Sequence, residues 1–419
     1  MKVVVIGAGV VGVATAYYLA QDGHAVTVVD RAAAPALGCS YANAGLVNGL
    51  TASPWSAPGI PTTVLRDFWR HDAAYRVRLR PDAAVAAWIV RFFGNCTATR
   101  TAEIKTHLRR LSGYSLALLQ EMRATHDLSY DARTDGFIYL YRTARSFETA
   151  QAAAQGVDDP ATRPKSLTGA ALVETEPALA DARVSFAGGL HYDRDETGDA
   201  RLFAQGVARA ATEAGVDFRF GTTATAVRVS GTRVCGVGVA ADGATEELAT
   251  DAVVLAAGFE SVDLAAPFRL RLPIVPVKGY SITLQMTDAS ALPRHAVQDA
   301  FRKVTLTPLG DRLRIAGKAD LAGRDRTIDR RRADTVLAAL PDLLPDATWH
   351  GEPSYWSGLR PMTADSLPLL GATHVDGLWL NTGHGSFGFT LSCGSGRVVA
   401  DLISGRAPAI ELTGLGLRT

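Results

Sequence analysis

Residues 3–31 read VVVIGAGVVGVATAYYLAQDGHAVTVVDR, and this stretch decides the fold. The β-branched run at 3–6 predicts a strand buried on both faces. Residues 10–22 predict a helix rich in small side chains that ends before Gly23. Residues 25–30 predict a second buried strand. A β–α–β unit this close to the N-terminus predicts a right-handed parallel crossover.

The turn between the first strand and the helix fits the pattern GxGxxG. Gly7 permits a tight turn, Gly9 lets the backbone approach a pyrophosphate, and Gly12 lets the helix pack close to the strand. The helix N-terminus offers amide donors to phosphates. This context favours a dinucleotide site over a glycine-rich turn without a ligand. The candidate cofactor contacts here are Gly7, Ala8, Gly9, Val10, Val11 and Gly12.

The second strand ends at Asp30, about twenty residues after the glycines, and Arg31 follows it. A carboxylate at this position accepts hydrogen bonds from ribose hydroxyls and repels a 2′-phosphate. Asp30 and Arg31 are therefore candidate cofactor contacts, and NADP is disfavoured. The motif alone does not separate FAD from NAD.

Elements typical of a nucleotide-binding fold recur late in the chain. A buried strand at 253–257 ends at Gly258, which is a further candidate contact. A strand, a loop and a helix follow at 378–404. A nucleotide domain assembled from distant pieces suits a cofactor that stays buried, and this favours flavin.

The loop at 381–390 reads NTGHGSFGFT and precedes the last long helix, predicted at 392–404. Its small residues allow close approach to a flat ring, and a helix start stabilises negative charge. His384 contacts the ring edge or satisfies loop carbonyls, and the sequence does not separate the two. Cys393 is expected to pack inside the helix rather than attach a flavin. The candidate contacts are Gly383, Gly385, Phe387, Gly388, Phe389 and Thr390.

Three further segments carry clear patterns. Apolar residues from Ile104 to Met122 recur at three-, four- and seven-residue intervals, which predicts one amphipathic helix that caps a sheet. Residues 199–214 predict a helix capped by Asp199. Turn signals at 230–231 and 242–243 predict a three-stranded meander. The three arginines at 330–332 are interpreted as a solvated helix face rather than an anion site.

Composition excludes several classes of protein. The 419 residues carry 43 basic and 42 acidic side chains, a balance that argues against phosphate-tracking nucleic-acid binding. The 47% hydrophobic content excludes wholesale disorder. The four cysteines show no CxxC pair and the histidines no HExxH pattern, so a metal site is not expected.

Several motifs together identify a family. They are residues 3–31, SYANAG at 40–45, PWSAPG at 54–59, DETGDARLFAQ at 195–205, PVKGYS at 276–281, WSGLRPMTADSLPLLG at 356–371 and LWLNTGHGSFGFTLSCGSG at 378–396. On these motifs the chain resembles the small, FAD-containing subunit of bacterial D-amino acid dehydrogenase. That family stands in the wider group of D-amino acid, glycine and sarcosine oxidases. The resemblance spans nearly the whole chain.

The resemblance implies roles for particular residues. Arg360 in the GLRP motif corresponds to the arginine that binds the substrate carboxylate, and a planar guanidinium suits this bidentate contact. Tyr280 is a substrate contact and Lys278 lies near the flavin. His384 is the fourth candidate catalytic residue, after Arg360, Tyr280 and Lys278. The residues that match the cofactor loop and an adenine contact are Ser40, Asn43, Ala44, Gly45 and Ala224.

The implied activity is oxidative deamination of D-amino acids. Hydride passes from the substrate Cα to flavin N5, and the imino acid hydrolyses to a 2-oxo acid and ammonia. The implied partners are a D-amino acid and a quinone or respiratory acceptor, without nucleic acid. The implied location is the cytoplasm, with peripheral contact on the inner face of the cell membrane left open.

Two alternatives remain. One is an FAD-dependent oxidase or dehydrogenase of secondary amines or glycine-like substrates, such as proline derivatives or sarcosine. The other is a non-catalytic FAD-binding subunit, and the intact GLRP, KGYS and GHG motifs count against it.

The expected fold is α/β, with a discontinuous Rossmann-type FAD-binding domain and a substrate domain of antiparallel sheet and helices. The FAD-binding domain is predicted at 1–80, 196–265 and 354–419. The substrate domain is predicted at 81–195 and 266–353.

Overall fold

The computed structural model describes residues 1–78, 82–155 and 162–417, and these ranges form a mixed α/β fold as predicted. Their strands are β1 (Lys2–Ile6), β2 (Ala25–Val29), β3 (Leu46–Val47), β4 (Tyr75–Val77), β5 (Phe137–Tyr141), β6 (Lys165–Leu167), β7 (Gly188–Tyr192), β8 (Glu196–Thr197), β9 (Asp217–Arg219), β10 (Thr223–Ser230), β11 (Arg233–Ala241), β12 (Ala244–Ala249), β13 (Ala252–Leu255), β14 (Ile274–Met286), β15 (Ala296–Asp299), β16 (Val304–Leu309), β17 (Arg312–Leu321), β18 (Trp349–Thr363), β19 (Leu369–Ala372) and β20 (Leu378–Thr382).

The helices of the described ranges differ widely in length. They are α1 (Val10–Gln21), α2 (Ile60–Arg66), α3 (Ala83–Gly94), α4 (Ala98–His126), α5 (Ala144–Gln155), α6 (Ala170–Thr175), α7 (Ala200–Glu213), α8 (Ser261–Ala265), α9 (Arg330–Leu337), α10 (Leu340–Leu343) and α11 (Gly388–Ile403). None of these helices combines the length and the apolar character that crossing a bilayer requires.

A six-stranded sheet has the order β19-β20-β13-β1-β2-β9. Its five strands from β20 to β9 are parallel, and β19 joins antiparallel at the edge. The predicted β–α–β unit is confirmed as β1, α1 and β2. The sheet draws its strands from all three segments predicted for the FAD-binding domain, although the domain boundaries themselves stay a prediction.

Helices cover one face of this sheet and the meander covers the other. Val3 and Val5 of β1 point into a core shared with α1, α7 and α11. Val4 and Ile6 point the opposite way, into a core shared with β10 and β11. The continuous β-branched run in β1 is thus explained by burial on both faces. The predicted three-stranded meander is confirmed as the sheet β10-β11-β12.

A nine-stranded sheet has the order β18-β14-β17-β16-β15-β5-β7-β6, and β4 pairs in parallel with β17. The long strands β14 and β18 pair antiparallel from Ile274 opposite Thr363 to Met286 opposite Trp349. Helices α9 and α10 contribute to the core on this sheet through Ala333, Val336 and Leu340. Strand pairing between β14 and β18 places the GLRP motif directly beside the KGYS motif.

The prediction of an amphipathic helix from Ile104 to Met122 that covers a sheet is confirmed. The helix is α4, which contacts α11, and its apolar face enters the core of the parallel sheet. It begins at Ala98, and α3 precedes it in the chain. The apolar spacing predicted the helix correctly, but spacing cannot identify the partner that the apolar face meets.

The interpretation of residues 330–332 as a solvated face is wrong for Arg332. This side chain is fully buried and pairs with Asp320 of β17 at 2.8 Å. Its Nη1 also donates to the carbonyl of His71. Asp320 lies 12 residues before Arg332 and His71 lies 261 residues before it, so the helical periodicity around residue 332 indicated neither contact. Arg330 packs over the ring of Tyr355.

Candidate active site

A cavity of about 1070 Å³ lies where the two large sheets meet. Its lining includes the residues that follow β1, β2, β13 and β20, so it opens at the carboxyl ends of the parallel strands, where ligands bind in such sheets. The nine-stranded sheet supplies another wall. The volume is at the upper end of the roughly 300–1,000 Å³ usual for ligand pockets, so there is room for a large cofactor and a small substrate together.

The glycines of the first turn have the geometry expected of a nucleotide cradle. Gly7 has φ +110°, and an added Cβ would lie 2.6 Å from the carbonyl oxygen of Ala256. A Cβ on Gly12 would lie 1.8 Å from the carbonyl oxygen of Gly7. At Gly9 the nearest atom to an added Cβ is 3.6 Å away, the Ser40 hydroxyl. Gly7 and Gly12 close the turn, and Gly9 keeps its cavity side clear.

Asp30 borders the cavity but its carboxylate already has two main-chain partners. Oδ2 accepts from the amide of Ala8 at 2.6 Å and Oδ1 from the amide of Ala32 at 2.8 Å. These bonds fix the carboxylate at the end of β2, where the ribose contact is predicted. Arg31 also borders the cavity and pairs with Glu260.

The loop at 40–45 is held against the nine-stranded sheet through its carbonyl groups. Ser281 donates its hydroxyl to the carbonyl of Ala42 at 2.6 Å, and Thr307 donates to that of Ala44 at 2.7 Å. Gly45 has φ +73°, and a Cβ there would lie 2.7 Å from the carbonyl oxygen of Gly198. The loop therefore holds a defined shape at the junction of the two sheets.

The second glycine-rich loop brings His384 into the cavity wall. The imidazole is buried, and its Nε2 lies 3.0 Å from the Ser395 hydroxyl. Burial lowers the pKa of His384 to about 3, so the ring is neutral at physiological pH. The prediction that the following helix starts at residue 392 is wrong, since α11 starts at Gly388. The small residues before it allow this earlier start.

Arg360 of β18 is half-buried in the cavity wall. Its Nη1 donates to the carbonyl of Lys318 at 3.0 Å, and its guanidinium lies 5.4 Å from the ring centre of Trp55. Among the described residues no carboxylate lies within 4.0 Å of it. A Cβ on Gly279 would lie 2.4 Å from the guanidinium, so this glycine makes room for it. Burial lowers the pKa of Arg360. The remaining donors are available to an anion in the cavity.

The other two catalytic candidates differ in position. Tyr280 borders the cavity, with its hydroxyl 3.5 Å from Asp320, and burial raises its pKa to about 12. Lys278 does not border the cavity. It is fully buried and donates to Asp325 at 3.0 Å and to the carbonyl of Thr327 at 2.9 Å. The structure therefore gives no contact between Lys278 and the cavity.

Most of the predicted cofactor contacts meet at this one cavity. The exceptions are Ala8, Gly12 and Thr390, which do not border it; Thr390 accepts a hydrogen bond from the amide of Asn48 instead. Those that border it are Gly7, Gly9, Val10, Val11, Asp30, Arg31, Ser40, Asn43, Ala44, Gly45, Ala224, Gly258, Gly383, Gly385, Phe387, Gly388 and Phe389.

Several wall residues were not predicted from the sequence. Five of them lie on strands that pair with distant parts of the chain, whereas Trp55 and Lys303 lie between strands and helices. Only the motif around Trp55 gave a local signal. These wall residues are Trp55, Tyr75, Tyr139, Gln298, Lys303, Thr305 and Lys318. Cys393 is buried in α11, as expected, and burial raises the pKa of its thiol to about 12.

Comparisons with known proteins identify the family of the chain. The sequence profile of a family described as FAD dependent oxidoreductase, DAO, matches residues 2–402. A D-amino acid dehydrogenase of Cereibacter sphaeroides is 44% identical over 417 residues, covering 100% of this chain and 95% of that protein. A D-amino acid dehydrogenase of Rhizobium rhizogenes is 41% identical, and the match covers 100% of this chain and 99% of that protein.

Two solved structures share the fold. The glycine oxidase of Bacillus cereus superposes with a TM-score of 0.75 at 23% identity, covering 100% of this chain and 98% of that one. The L-proline dehydrogenase of P. horikoshii superposes with a TM-score of 0.71 at 19% identity. The superposition covers 97% of this chain and 94% of that one.

Proposed function

Because the chain belongs to the DAO family of FAD-dependent oxidoreductases, we propose that it is a D-amino acid dehydrogenase. It oxidises the amine of a D-amino acid to an imine, which hydrolyses to a 2-oxo acid and ammonia. The relatives named D-amino acid dehydrogenase at 41–44% identity over the full chain support this assignment.

The observation that carries the proposal is the unmatched guanidinium of Arg360. A nearby anion stabilises a cation that is partly withdrawn from water, and no described carboxylate lies within 4.0 Å of this half-buried guanidinium. The α-carboxylate of an amino acid would supply the missing charge and accept two parallel hydrogen bonds. Binding it there would fix the position of the substrate Cα in the cavity.

The residues around the cavity fit FAD. The turn at 7–12 would hold the diphosphate, Asp30 the ribose, and the loops at 40–45 and 383–389 the ring system. The backbone clearance at Gly9 and the amides at the start of α1 suit a phosphate group. Bound FAD would supply the hydride acceptor.

The protein's own contribution is positioning rather than strong acid–base catalysis. His384 stays neutral at physiological pH and hydrogen-bonds to Ser395, so it orients groups without carrying a charge. The aromatic side chains of Trp55 and Tyr75 narrow the cavity around Arg360 and would exclude water from the reacting carbon. The substrate amine must be unprotonated when it is oxidised.

We propose further that the electrons pass to a quinone. The protein would reach this quinone through peripheral contact with the inner face of the membrane. Leu65 and Trp69 are 77% and 89% exposed, and Val90 of α3 is 72% exposed. Ile60 of α2 borders the cavity, and α2 and α3 pack on one apolar cluster. Exposed apolar side chains beside the cavity suit a membrane surface.

An enantiomer panel tests the function. The purified protein should be yellow, and anaerobic addition of a D-amino acid should bleach the flavin absorbance while the L-enantiomer should not. The panel is repeated with oxygen and with a soluble quinone analogue as acceptors, and we expect faster turnover with the quinone. Bleaching only by sarcosine or L-proline would replace the proposal with a secondary-amine dehydrogenase.

Arg360→Ala tests the observation on which the proposal rests. Loss of hydrogen bonds to a charged group costs roughly 1.5–3 kcal/mol, so the KM for a D-amino acid should rise about 10- to 100-fold or more. Flavin content should change little. Arg100→Ala, which removes an exposed arginine on α4, is the matched control. Equal loss of flavin and substrate binding would assign Arg360 a structural role instead.

A further inference from the structure

Two lysines lie opposite each other where β16 and β17 separate. The last register pair of these strands joins Val304 to Gly317, so Lys303 and Lys318 are the next residues on each side. Both have a left-handed backbone, with φ +55° and +64°, and both border the cavity. A left-handed conformation is uncommon for lysine and often marks a functional position.

The two lysines differ in burial, since Lys303 is exposed and Lys318 is buried. No described carboxylate lies within 4.0 Å of either ammonium group. Lys318 is 6% exposed, and its Nζ donates to the carbonyl of Asp72 at 2.8 Å. Burial, with Arg332 nearby, lowers the pKa of Lys318 to about 8. An anion bound beside it would favour its charged form.

The nearby carboxylates are already paired with arginines. Asp320 pairs with Arg332 and Arg76. Asp299, close to Lys303, pairs with Arg142. These acids therefore have cations of their own, and the two lysines are left without matching charge.

Among the described residues, the charged side chains on the side of the cavity formed by the nine-stranded sheet are all positive. The acidic residues that border the cavity, Asp30, Glu260 and Asp263, all come from the nucleotide side. The nine-stranded sheet and its turns contribute Arg360, Lys303 and Lys318, and Arg326, which also borders the cavity, is already paired with Glu260. One α-carboxylate matches Arg360, and two cations remain.

Polar side chains stand in a row beside these lysines. Gln298 of β15 pairs in register with Tyr139 of β5 on one side and with Thr305 of β16 on the other. All three border the cavity. Within the described part of the chain, no hydrogen bond is made by the three side-chain polar groups. The row offers hydrogen-bond donors next to the two ammonium groups.

We propose that Lys303 and Lys318, with Gln298 and Thr305 beside them, form a subsite for a second carboxylate, so that acidic D-amino acids are the preferred substrates. This inference rests on the proposed function, because it places the α-carboxylate on Arg360. The side-chain carboxylate then lies toward Lys318, whose main-chain carbonyl accepts a hydrogen bond from Arg360 at 3.0 Å, and toward Lys303 opposite Lys318.

Paired substrates of equal shape test the subsite. D-Glutamate is compared with D-glutamine, and D-aspartate with D-asparagine, by anaerobic flavin bleaching and by kcat/KM with a quinone analogue. We expect the acid to exceed its amide about tenfold or more in at least one pair, since one charge-assisted contact is worth this factor. Equal rates for acid and amide in both pairs would overturn the subsite.

Substitutions locate the effect. Lys303→Met and Lys318→Met should each reduce the acid-to-amide ratio of kcat/KM several-fold. Lys165→Met removes an exposed lysine paired with Asp193 and should leave the ratio unchanged. A ratio that survives both cavity variants would place the preference elsewhere and contradict the proposal.

Binding without turnover gives a second readout. Glutarate and butyrate are titrated into the oxidised enzyme, and the shift in flavin absorbance is recorded. Glutarate should bind about tenfold more tightly than butyrate, and the difference should shrink in Lys318→Met. Bleaching by D-alanine without any preference for acids would reject the subsite and keep the dehydrogenase; bleaching by no D-amino acid would reject the dehydrogenase itself.

Discussion

Arg360 and His384 border the same cavity, and burial affects the two side chains differently. Burial lowers the pKa of both, but a guanidinium stays protonated at any physiological pH. His384 instead gives up its charge and keeps a hydrogen bond to Ser395. The cavity therefore keeps its positive charge where a carboxylate would bind and is neutral at the glycine-rich loop.

The neutral His384 makes stability depend on pH. Its pKa is about 3 in the folded protein against 6.5 for an exposed histidine. Between these values the unfolded chain binds a proton that the folded chain does not, so this residue lowers the free energy of unfolding as the pH falls. With His384→Gln, the free energy of unfolding should decrease less between pH 6.5 and pH 4.5 than in the wild type, as measured by urea unfolding. The control is His374→Gln, at an exposed position; parallel curves for wild type and His384→Gln would contradict the assignment.

At the scale of the element, α11 depends on two glycines that face different helices. A Cβ on Gly394 would lie 2.8 Å from Cβ of Ser115 in α4. A Cβ on Gly396 would lie 2.9 Å from the amide nitrogen of Thr15 in α1. The absence of side chains lets α11 pack closely against both helices.

Gly396→Ala should destabilise the protein although alanine favours helices. The gain in helix propensity is about 1 kcal/mol, while overpacking a close contact costs about 1–3 kcal/mol. We expect a net loss of the free energy of unfolding by urea. Gly94→Ala is the matched control, because no atom lies within 4 Å of a Cβ at that helical position. Equal effects of the two substitutions would show that α11 and α1 tolerate a wider separation.

The elements that could be predicted from the sequence are those with local signals. The β–α–β unit, the meander and the helix capped by Asp199 each carry their turn or cap residues within a few positions. The glycine turn and the GLRP motif indicated the two ends of the cavity for the same reason.

The remaining features depend on pairing between distant strands. Lys318 borders the cavity because β17 contains an irregularity between Gly317 and Asp320, opposite Tyr280 and Lys278 of β14. Arg332 is buried because α9 packs against β17, where Asp320 pairs with it. Hydrophobic periodicity carries no information about such partners, so the lysines and the burial of Arg332 appear only in the structure.

At the scale of the whole molecule, buried polar contacts join the nine-stranded sheet to the start of α7 and to the loop at 40–45. Arg314 of β17 lies 3.3 Å from Asp199, which caps α7, and also donates to the carbonyl of Asn43. Together with the bonds from Ser281 and Thr307, these contacts fix the nine-stranded sheet over the loop at 40–45. The cavity walls therefore hold one relative arrangement.

The exposed apolar side chains on and beside α2 and α3 predict membrane association. Leu65→Ser combined with Trp69→Ser should reduce sedimentation with vesicles of bacterial phospholipids several-fold, because less apolar area enters the interface. Turnover with a soluble quinone analogue should persist. Phe301→Ser removes another exposed aromatic residue, 67% exposed, and serves as the control. Wild-type protein that stays in the supernatant would contradict membrane contact.

The order of the parallel sheet has a consequence for biosynthesis. β1 pairs with β13, which follows it after more than half of the chain. β13 pairs with β20, which follows it after more than a hundred residues. A ribosome releases β20 and the loop after it late, and until then the nascent chain holds half a nucleotide site with an unpaired β13 edge. We therefore expect the cofactor to bind only after most of the chain has been synthesised. Until then, the exposed edge of β13 must be kept from pairing with other chains.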